Sequence, residues 1–292
     1  MAPAVTTPIQ LIHEATVTRQ VNWGHGYFVV EFDCPELART IGVGQFVNVR
    51  VRNEFTPLLR RPFSVFDVLT DARGQPTGIS LLYHVVGAGT RLMSKYQAGE
   101  RVNITGPLGL EYPDPPQDHA VVMVGGGIGL APFLLQSKRW PARERAAGTS
   151  REYVLIAGGR SERDLRYLKL FEPAVKQGLN LLVSTDDGSL GIKGRVTVPL
   201  RAELEARAKS GKPCFVYCCG PDPMMHAVAD LCAEFKVPGI SSLESVMACG
   251  YGVCNGCVCK VKDAGSPDGS GFKYVKTCLK GPAFDMAQLV WS

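Results

Sequence analysis

Three cysteines crowd nine residues near the C-terminus, as Cys249-Gly-Tyr-Gly-Val-Cys254-Asn-Gly-Cys257, and a fourth, Cys278, follows after a gap. No other feature restricts the fold so tightly. The spacing is C-x₄-C-x₂-C with one remote cysteine, the plant-type ligand pattern of a [2Fe–2S] cluster. A loop that wraps three thiolates must pass its backbone close to the sulfides. Gly250, Gly252 and Gly256 give that freedom and leave N–H groups to point at the sulfurs. Val258–Lys262 and Phe272–Thr277 flank a turn holding Gly265, Pro267, Gly269 and Gly271, so a hairpin can deliver Cys278. Structural zinc also takes four thiolates, but it favours two C-x₂₋₄-C pairs. Cys259 alternates to the opposite strand face and reads as a packed thiol rather than a fifth ligand.

The remaining cysteines do not form a disulfide framework. Cys214, Cys218, Cys219 and Cys232 lie just upstream of the cluster and Cys34 stands alone, ten in all. Met1–Gln20 has no apolar core and carries Glu14, unlike a signal peptide. Clustered thiols without an export signal point to metal or redox chemistry in the cytoplasm. The chain has 292 residues, 45% hydrophobic and 20% charged, which excludes disorder and suggests two domains and an appendage. A net charge of +5 without any block of like charges gives nucleic-acid binding little support. The charge-free run Ala120–Ser137 raises the question of a membrane span, but its four glycines and Pro132 suit a strand, a loop and a helix.

Three regions follow. Residues 1–112 read as an antiparallel β-barrel, with short apolar runs at Tyr27–Phe32, Gln45–Val51 and Ile79–Val86 between turn residues. Tyr112-Pro-Asp-Pro-Pro116 reads as a linker. Residues 113–238 alternate strands (Ala120–Val124, Tyr153–Ala157, Asn180–Ser184, Cys214–Cys218) with helices (Leu130–Trp140, Asp164–Lys176, Met224–Phe235), which implies a doubly wound parallel sheet. Pro199–Lys209, with Arg201, Glu203, Glu205 and Arg207, reads as a solvated helix. Residues 239–292 are too short for a core of their own, and a bound cluster would supply the missing stability.

A second motif is Val121-Val-Met-Val-Gly125-Gly126-Gly127-Ile128-Gly129-Leu130-Ala-Pro132. A strand running into a glycine turn and a helix presents N–H groups to a pyrophosphate. It departs from G-x-G-x-x-G because Leu130 stands at the third glycine, and a plain tight turn remains open. A third is Arg61-Pro62-Phe63-Ser64, followed by Leu82-Tyr83-His84 and Gly87-Ala-Gly89-Thr90. By composition alone these are a strand with an arginine, and a turn.

In this order the motifs resemble the ferredoxin–NADP reductase superfamily over nearly the whole chain. The resemblance implies FAD on Arg61, Phe63 and Ser64 (the R-x-[FY]-[ST] pattern), with Gly89 and Thr90 at its diphosphate. It implies a nicotinamide beside Cys219-Gly220-Pro221, where Cys219 is the candidate catalytic residue. With the C-terminal cysteines, the chain is similar to the electron-transfer subunits of NAD-dependent dihydroorotate dehydrogenase. Arg60–Ser64, Gly106–Gly109, Thr185–Gly188 and Gly281–Phe284 carry that likeness. His84 stands where an arginine is usual, and the span from Cys257 to Cys278 is long.

The resemblance implies an NAD(H)-dependent oxidoreductase subunit of pyrimidine biosynthesis in a hetero-oligomer. It would carry FAD and the cluster and serve a flavin-containing catalytic partner, an FMN dehydrogenase. The alternatives are a reductase subunit of a ferredoxin–NADP transhydrogenase, sulfur or sulfite reductase or hydrogenase, and a zinc-bearing binding protein. Asp186 and Asp187 after the Leu181–Ser184 strand favour NADH, since they repel a 2′-phosphate and can accept from a ribose hydroxyl. Arg160 argues the other way. His13, His25, His119 and His226 show no ligand spacing. Tyr251, Val253 and Asn255 are the expected docking tip beside the cluster.

Overall fold

The computed structural model describes residues 11–52 and 56–291. The first ten residues of the N-terminal segment read above lie outside the described residues. Seven strands make an antiparallel sheet: β1 (Leu11–Gly24), β2 (Tyr27–Asp33), β3 (Phe46–Arg50), β4 (Arg61–Ser64), β5 (Asp67–Thr70), β6 (Pro76–His84) and β7 (Arg101–Leu108). Their order is β4-β3-β7-β1-β2-β6-β5. β4 and β5 are the two edges, yet only Val65 and Phe66 separate them in the chain. The sheet must therefore curl round on itself, and Val65 and Phe66 are buried inside.

The second sheet contains β8 (Ala120–Gly126), β9 (Tyr153–Gly159), β10 (Leu179–Thr185), β11 (Ile192–Lys193), β12 (Cys214–Cys219) and β13 (Gly239–Ser242). These run parallel. After the hairpin β14 (Val258–Lys262) and β15 (Phe272–Lys276), β16 (Ala283–Asp285) returns antiparallel to β13. The order is β11-β10-β9-β8-β12-β13-β16. Alternation along β8 buries both faces, as a parallel sheet requires. Val121 and Met123 join the core shared with the barrel, while Val122 and Val124 pack under the helices Thr197–Ser210 and Asp222–Glu234. Among the described residues, no helix is long and apolar enough to cross a membrane.

Several expectations shift. The parallel sheet does not stop at residue 238, because β13 and β16 pair onto it and only the residues between them stand apart. Gly239-Ile-Ser-Ser242 is too short and polar to announce a strand. The helix expected to end at Trp140 runs on through Pro141 to Ala146, its far turn held by the buried Glu144 paired with Arg151 at 2.5 Å. The segment expected as a helix from Asp164 begins as a 3₁₀ helix, Glu162–Phe171, and is α-helical only over Glu172–Lys176. Pro173 has no N–H to donate to Lys169, so the α ladder restarts there.

The helix Thr197–Ser210 is not simply solvated. Arg207 is buried and donates to Glu203 at 2.7 Å and to Glu152 at 3.0 Å. Arg207→Ala strands Glu203 beside the core and should destabilise the fold by about 2 kcal/mol, less than for a fully buried pair because Glu152 is half in water. Thermal denaturation should show the drop for Arg207→Ala, and no change for Arg201→Ala in the exposed pair with Glu234.

Candidate functional site

The strand order reverses between β8 and β12, and such a switch point opens a crevice at the carboxyl ends of the strands. The glycine turn after β8 and the Cys219-Gly220-Pro221 segment after β12 meet there at backbone distance. A Cβ on Gly129 would fall 2.3 Å from the Cys219 carbonyl oxygen, and one on Gly126 would fall 2.4 Å from Met224 Sδ and 3.4 Å from Pro221. Gly127 has φ of +53° and begins a 3₁₀ turn that leads into the helix Ala131–Ala146. Only glycines allow this approach, which leaves the turn's backbone open to a ligand.

The Cys219 thiol is buried within this crevice. Burial pushes its pKa well above the usual thiol range, the nearby Glu244 charge adds to this, and the Ser242 hydroxyl offsets it. Burial thus favours the neutral thiol over the thiolate at Cys219. Glu244 escaped the sequence reading. Although its side chain reaches solvent at the crevice mouth, protein crowds it, and burial and then Asp222 raise its pKa. Two strands away, Asp186 lies exposed just beyond β10. Asp187 is held by its own turn, its Oδ1 accepting from the Ser189 hydroxyl at 2.6 Å and the Ser189 N–H at 2.9 Å.

Arg61, Pro62, Phe63 and Ser64 form edge strand β4, each half-buried. A Cβ on Gly89 would lie 3.0 Å from Arg61 Nε, so the 87–90 turn rests against that guanidinium. Thr90 Oγ1 closes the turn by accepting from the N–H groups of Val86 and Gly87 at 3.0 and 3.1 Å. Leu82 and Tyr83, expected beside these residues, are buried in the barrel, and the Tyr83 hydroxyl donates to Gln20 at 3.0 Å. Phe63 packs edge-on against the Tyr83 ring at 6.0 Å.

His84 does reach the surface, stacked on Tyr27 at 4.4 Å between centroids. Tyr27 in turn meets Tyr167 at 5.4 Å, and the Tyr167 hydroxyl donates to the Gly127 carbonyl. This chain of rings ties the end of β6 to the glycine turn. Tyr27 lies in an ordinary apolar run and Tyr167 in a charged segment, and no sequence signal marked them.

The four cluster cysteines lie close enough to interact, Cys249 with Cys254, and Cys278 with both Cys257 and Cys249. Burial acts to raise the Cys249 thiol, but the N–H groups of Cys254, Tyr251 and Val253, with the Cys254 side chain, outweigh it and hold the pKa down at about 6. Burial and the neighbouring Cys257 and Cys249 raise Cys278, against a hydrogen bond from the Gly252 backbone. Gly250 and Gly252 have φ of +83° and +88°, which turn these donors inward. Among the described residues, no three His, Cys, Asp or Glu side chains gather around one point as ligands of a single ion do. Four thiols, with N–H donors turned towards Cys249 and Cys278, would suit a [2Fe–2S] cluster, which takes four thiolate ligands. The Cys259 thiol donates to the carbonyl of its cross-strand partner Val275 at 3.6 Å.

The cluster segment rests on the barrel. Phe46 and Leu108 share a small core with Met247, Cys257 and Cys278. Tyr251 and Val253 project outward, with 49% and 73% of their surface exposed, beside Asn255 in a left-handed conformation.

A curled antiparallel sheet joined to a doubly wound sheet, with a nucleotide crevice and a thiol-lined loop, defines a ferredoxin–NADP reductase-like oxidoreductase. A family model described as an oxidoreductase NAD-binding domain matches residues 123–230. Another, the iron–sulfur cluster binding domain of dihydroorotate dehydrogenase B, matches residues 244–290. The chain is 36% identical over 267 residues to the dihydroorotate dehydrogenase B (NAD(+)) electron transfer subunit of Desulforamulus reducens, covering 90% of this chain and 92% of that one. It is 34% identical over 244 residues to the Fusobacterium nucleatum subunit of the same name, covering 82% and 84%. A solved NADH-dependent reduced ferredoxin-NADP oxidoreductase shares the fold, with a TM-score of 0.75 and 24% identity over 96% of this chain and 90% of that one. The chain belongs to the family of electron transfer subunits of dihydroorotate dehydrogenase B (NAD(+)).

If these four thiols are the ligands, Cys254→Ser and Cys278→Ser should each abolish acid-labile sulfide in the purified protein. Cys259→Ser should retain it in full, with the visible spectrum of the parent.

Proposed function

We propose that the chain moves electrons between NAD(H), FAD and a [2Fe–2S] cluster, to or from a flavin-containing dihydroorotate dehydrogenase partner in the cytoplasm. One observation carries this reading. On β3, Phe46 pairs with Ser64 of the flavin strand and packs against the Cys257–Cys278 pair, so both sites share one strand as a wall. The ten thiols, none of them in a disulfide, suit a reducing compartment.

Bound together, FAD and the cluster convert a two-electron hydride into single-electron steps. The chain's own residues do the rest. Gly126, Gly127 and Gly129 admit the NAD pyrophosphate to backbone N–H groups, and Cys219-Gly220-Pro221 floors the nicotinamide end with a neutral, uncharged thiol. Asp186 accepts from the adenosine ribose. Arg61, which Gly89 allows to lie close against the 87–90 turn, would offset the FAD diphosphate, and Ser64 would offer a hydroxyl to the flavin. The N–H groups around Cys249 stabilise negative charge on sulfur, which favours acceptance of an electron. Tyr251, Val253 and Asn255 form the tip that meets the partner, and apolar exposure there suits a water-excluding contact.

Arg61→Ala should release FAD on dilution, seen as flavin fluorescence in the flow-through of a desalting column. Full retention would remove Arg61 from the flavin site. In steady state, kcat/KM for NADH should exceed that for NADPH, and Asp186→Asn should narrow the ratio. The decisive experiment is affinity capture of the chain from its native source, then assay of dihydroorotate-dependent NAD⁺ reduction. A captured flavoprotein with that activity supports the reading. One without it keeps the electron-transfer role and discards the pyrimidine assignment, and full turnover by the lone chain defeats the complex.

A further inference from the structure

The barrel and the iron–sulfur loop are pinned together by a buried amide. Asn48 lies in the middle of β3, 0% exposed, paired with Pro62 on β4 and Thr105 on β7. Its neighbours Val47 and Val49 fill the barrel interior. Asn48 therefore stands on the opposite face with Phe46, and directly paired residues share a face, so Pro62 stands there too. This face receives the iron–sulfur segment. Asn48 Nδ2 donates to the carbonyl of Cys249, the first ligand of the loop, at 3.2 Å. The next residue, Gly250, is in the left-handed region, and a Cβ there would fall 2.1 Å from the same Nδ2. The amide fills the space that a side chain at 250 would take.

A carbonyl only accepts, so the amide is oriented with Nδ2 towards Cys249 and Oδ1 away from it. Oδ1 is buried and has no partner among the described residues. Packing alone is a poor reason for such a group, because an apolar side chain of equal volume would remove the unsatisfied oxygen. The loop is also clamped from its own hairpin, where Lys276 Nζ donates to the Gly252 carbonyl at 2.8 Å and the Thr277 N–H to the Cys257 carbonyl at 2.8 Å. Those clamps fix its shape. Asn48 fixes where that shape sits relative to β4.

We propose that Asn48 is a positioning residue that sets the iron–sulfur loop against the flavin strand through the Cys249 carbonyl, and so governs electron passage between the two sites. This rests on the function proposed above. The test compares the purified holoprotein with Asn48→Leu, which fills the volume without a donor, and Asn48→Asp, which keeps the shape and lacks the donor when it is ionised. Iron, labile sulfide and flavin are measured first. Absence of flavin or labile sulfide in the parent would defeat the function itself, and this inference with it. NADH is then mixed anaerobically, and flavin bleaching and cluster reduction are followed separately, with the electron paramagnetic resonance spectrum of the reduced cluster.

Both variants should fold and keep the parent's flavin content and rate of flavin bleaching. Their cluster spectrum should shift, and cluster reduction should slow about 10-fold, the usual scale for a lost outer-shell partner. Selective loss of the cluster with flavin and fold intact would support the proposal equally. If Asn48→Leu does not fold, Asn48→Asp decides alone. A parental cluster spectrum and parental reduction rate in the folded variants would overturn the proposal.

Discussion

The architecture depends on a backbone approach that admits no side chain, that of Gly129 against the carbonyl of Cys219. Adjacent parallel strands can place two loops at one crevice only if neither loop fills it. A methyl group at 129 would push the turn after β8 away from the segment after β12. The crevice would then widen, and the N–H groups that suit a pyrophosphate would lose their common direction. The sheet order sets up this meeting, because the strand sequence reverses at that point and leaves both loop ends unobstructed.

From there the packing runs outward without a break. One core continues from the barrel through β8 and β9 to the 3₁₀ segment, with Phe66 edge-on to Phe171 at 6.1 Å. The Tyr27 and Tyr167 rings join the barrel to that 3₁₀ segment a second time. Such a core resists relative motion, since close-packed interiors shift between discrete arrangements rather than deform smoothly. The cluster segment adds little core of its own and borrows Phe46 and Leu108 from the barrel. Its location is therefore dictated by the barrel, which suits a centre that must keep a constant distance from a flavin.

The parts of this arrangement that were legible in the sequence are those whose chemistry is local. Cys249, Cys254 and Cys257 sit in one loop, so their spacing states their geometry, and the β14–β15 hairpin followed from the turn residues before Cys278. The alternation of strands and helices likewise announced the parallel sheet. What stayed hidden depends on residues distant in the chain. Arg61 and Gly89 touch only because the barrel curls, and no period in either segment shows it. Leu82 and Tyr83 read as site residues by their place beside His84, and both are buried on β6, where no period in the segment marks either face as exposed. Arg207 looked solvated on its helix because its partner, Glu152, arrives from the start of another strand. Asn48 was one polar residue in an apolar run, and only its pairing across to Pro62 and up to Cys249 distinguishes it.

The return of β16 to β13 has a consequence for how such a chain can change over time. Ser242 and Ala283 are paired, so the intervening segment leaves the sheet and re-enters it at the same place. Its two stems are neighbours, and the sheet does not register how much chain lies between them. Lengthening the tip between β14 and β15, as in the long span before Cys278, alters neither the nucleotide crevice nor the barrel. The redox segment thus behaves as a cassette, free to acquire a differently shaped outer surface, and hence a different recipient for its electrons, while the hydride-handling body stays as it is.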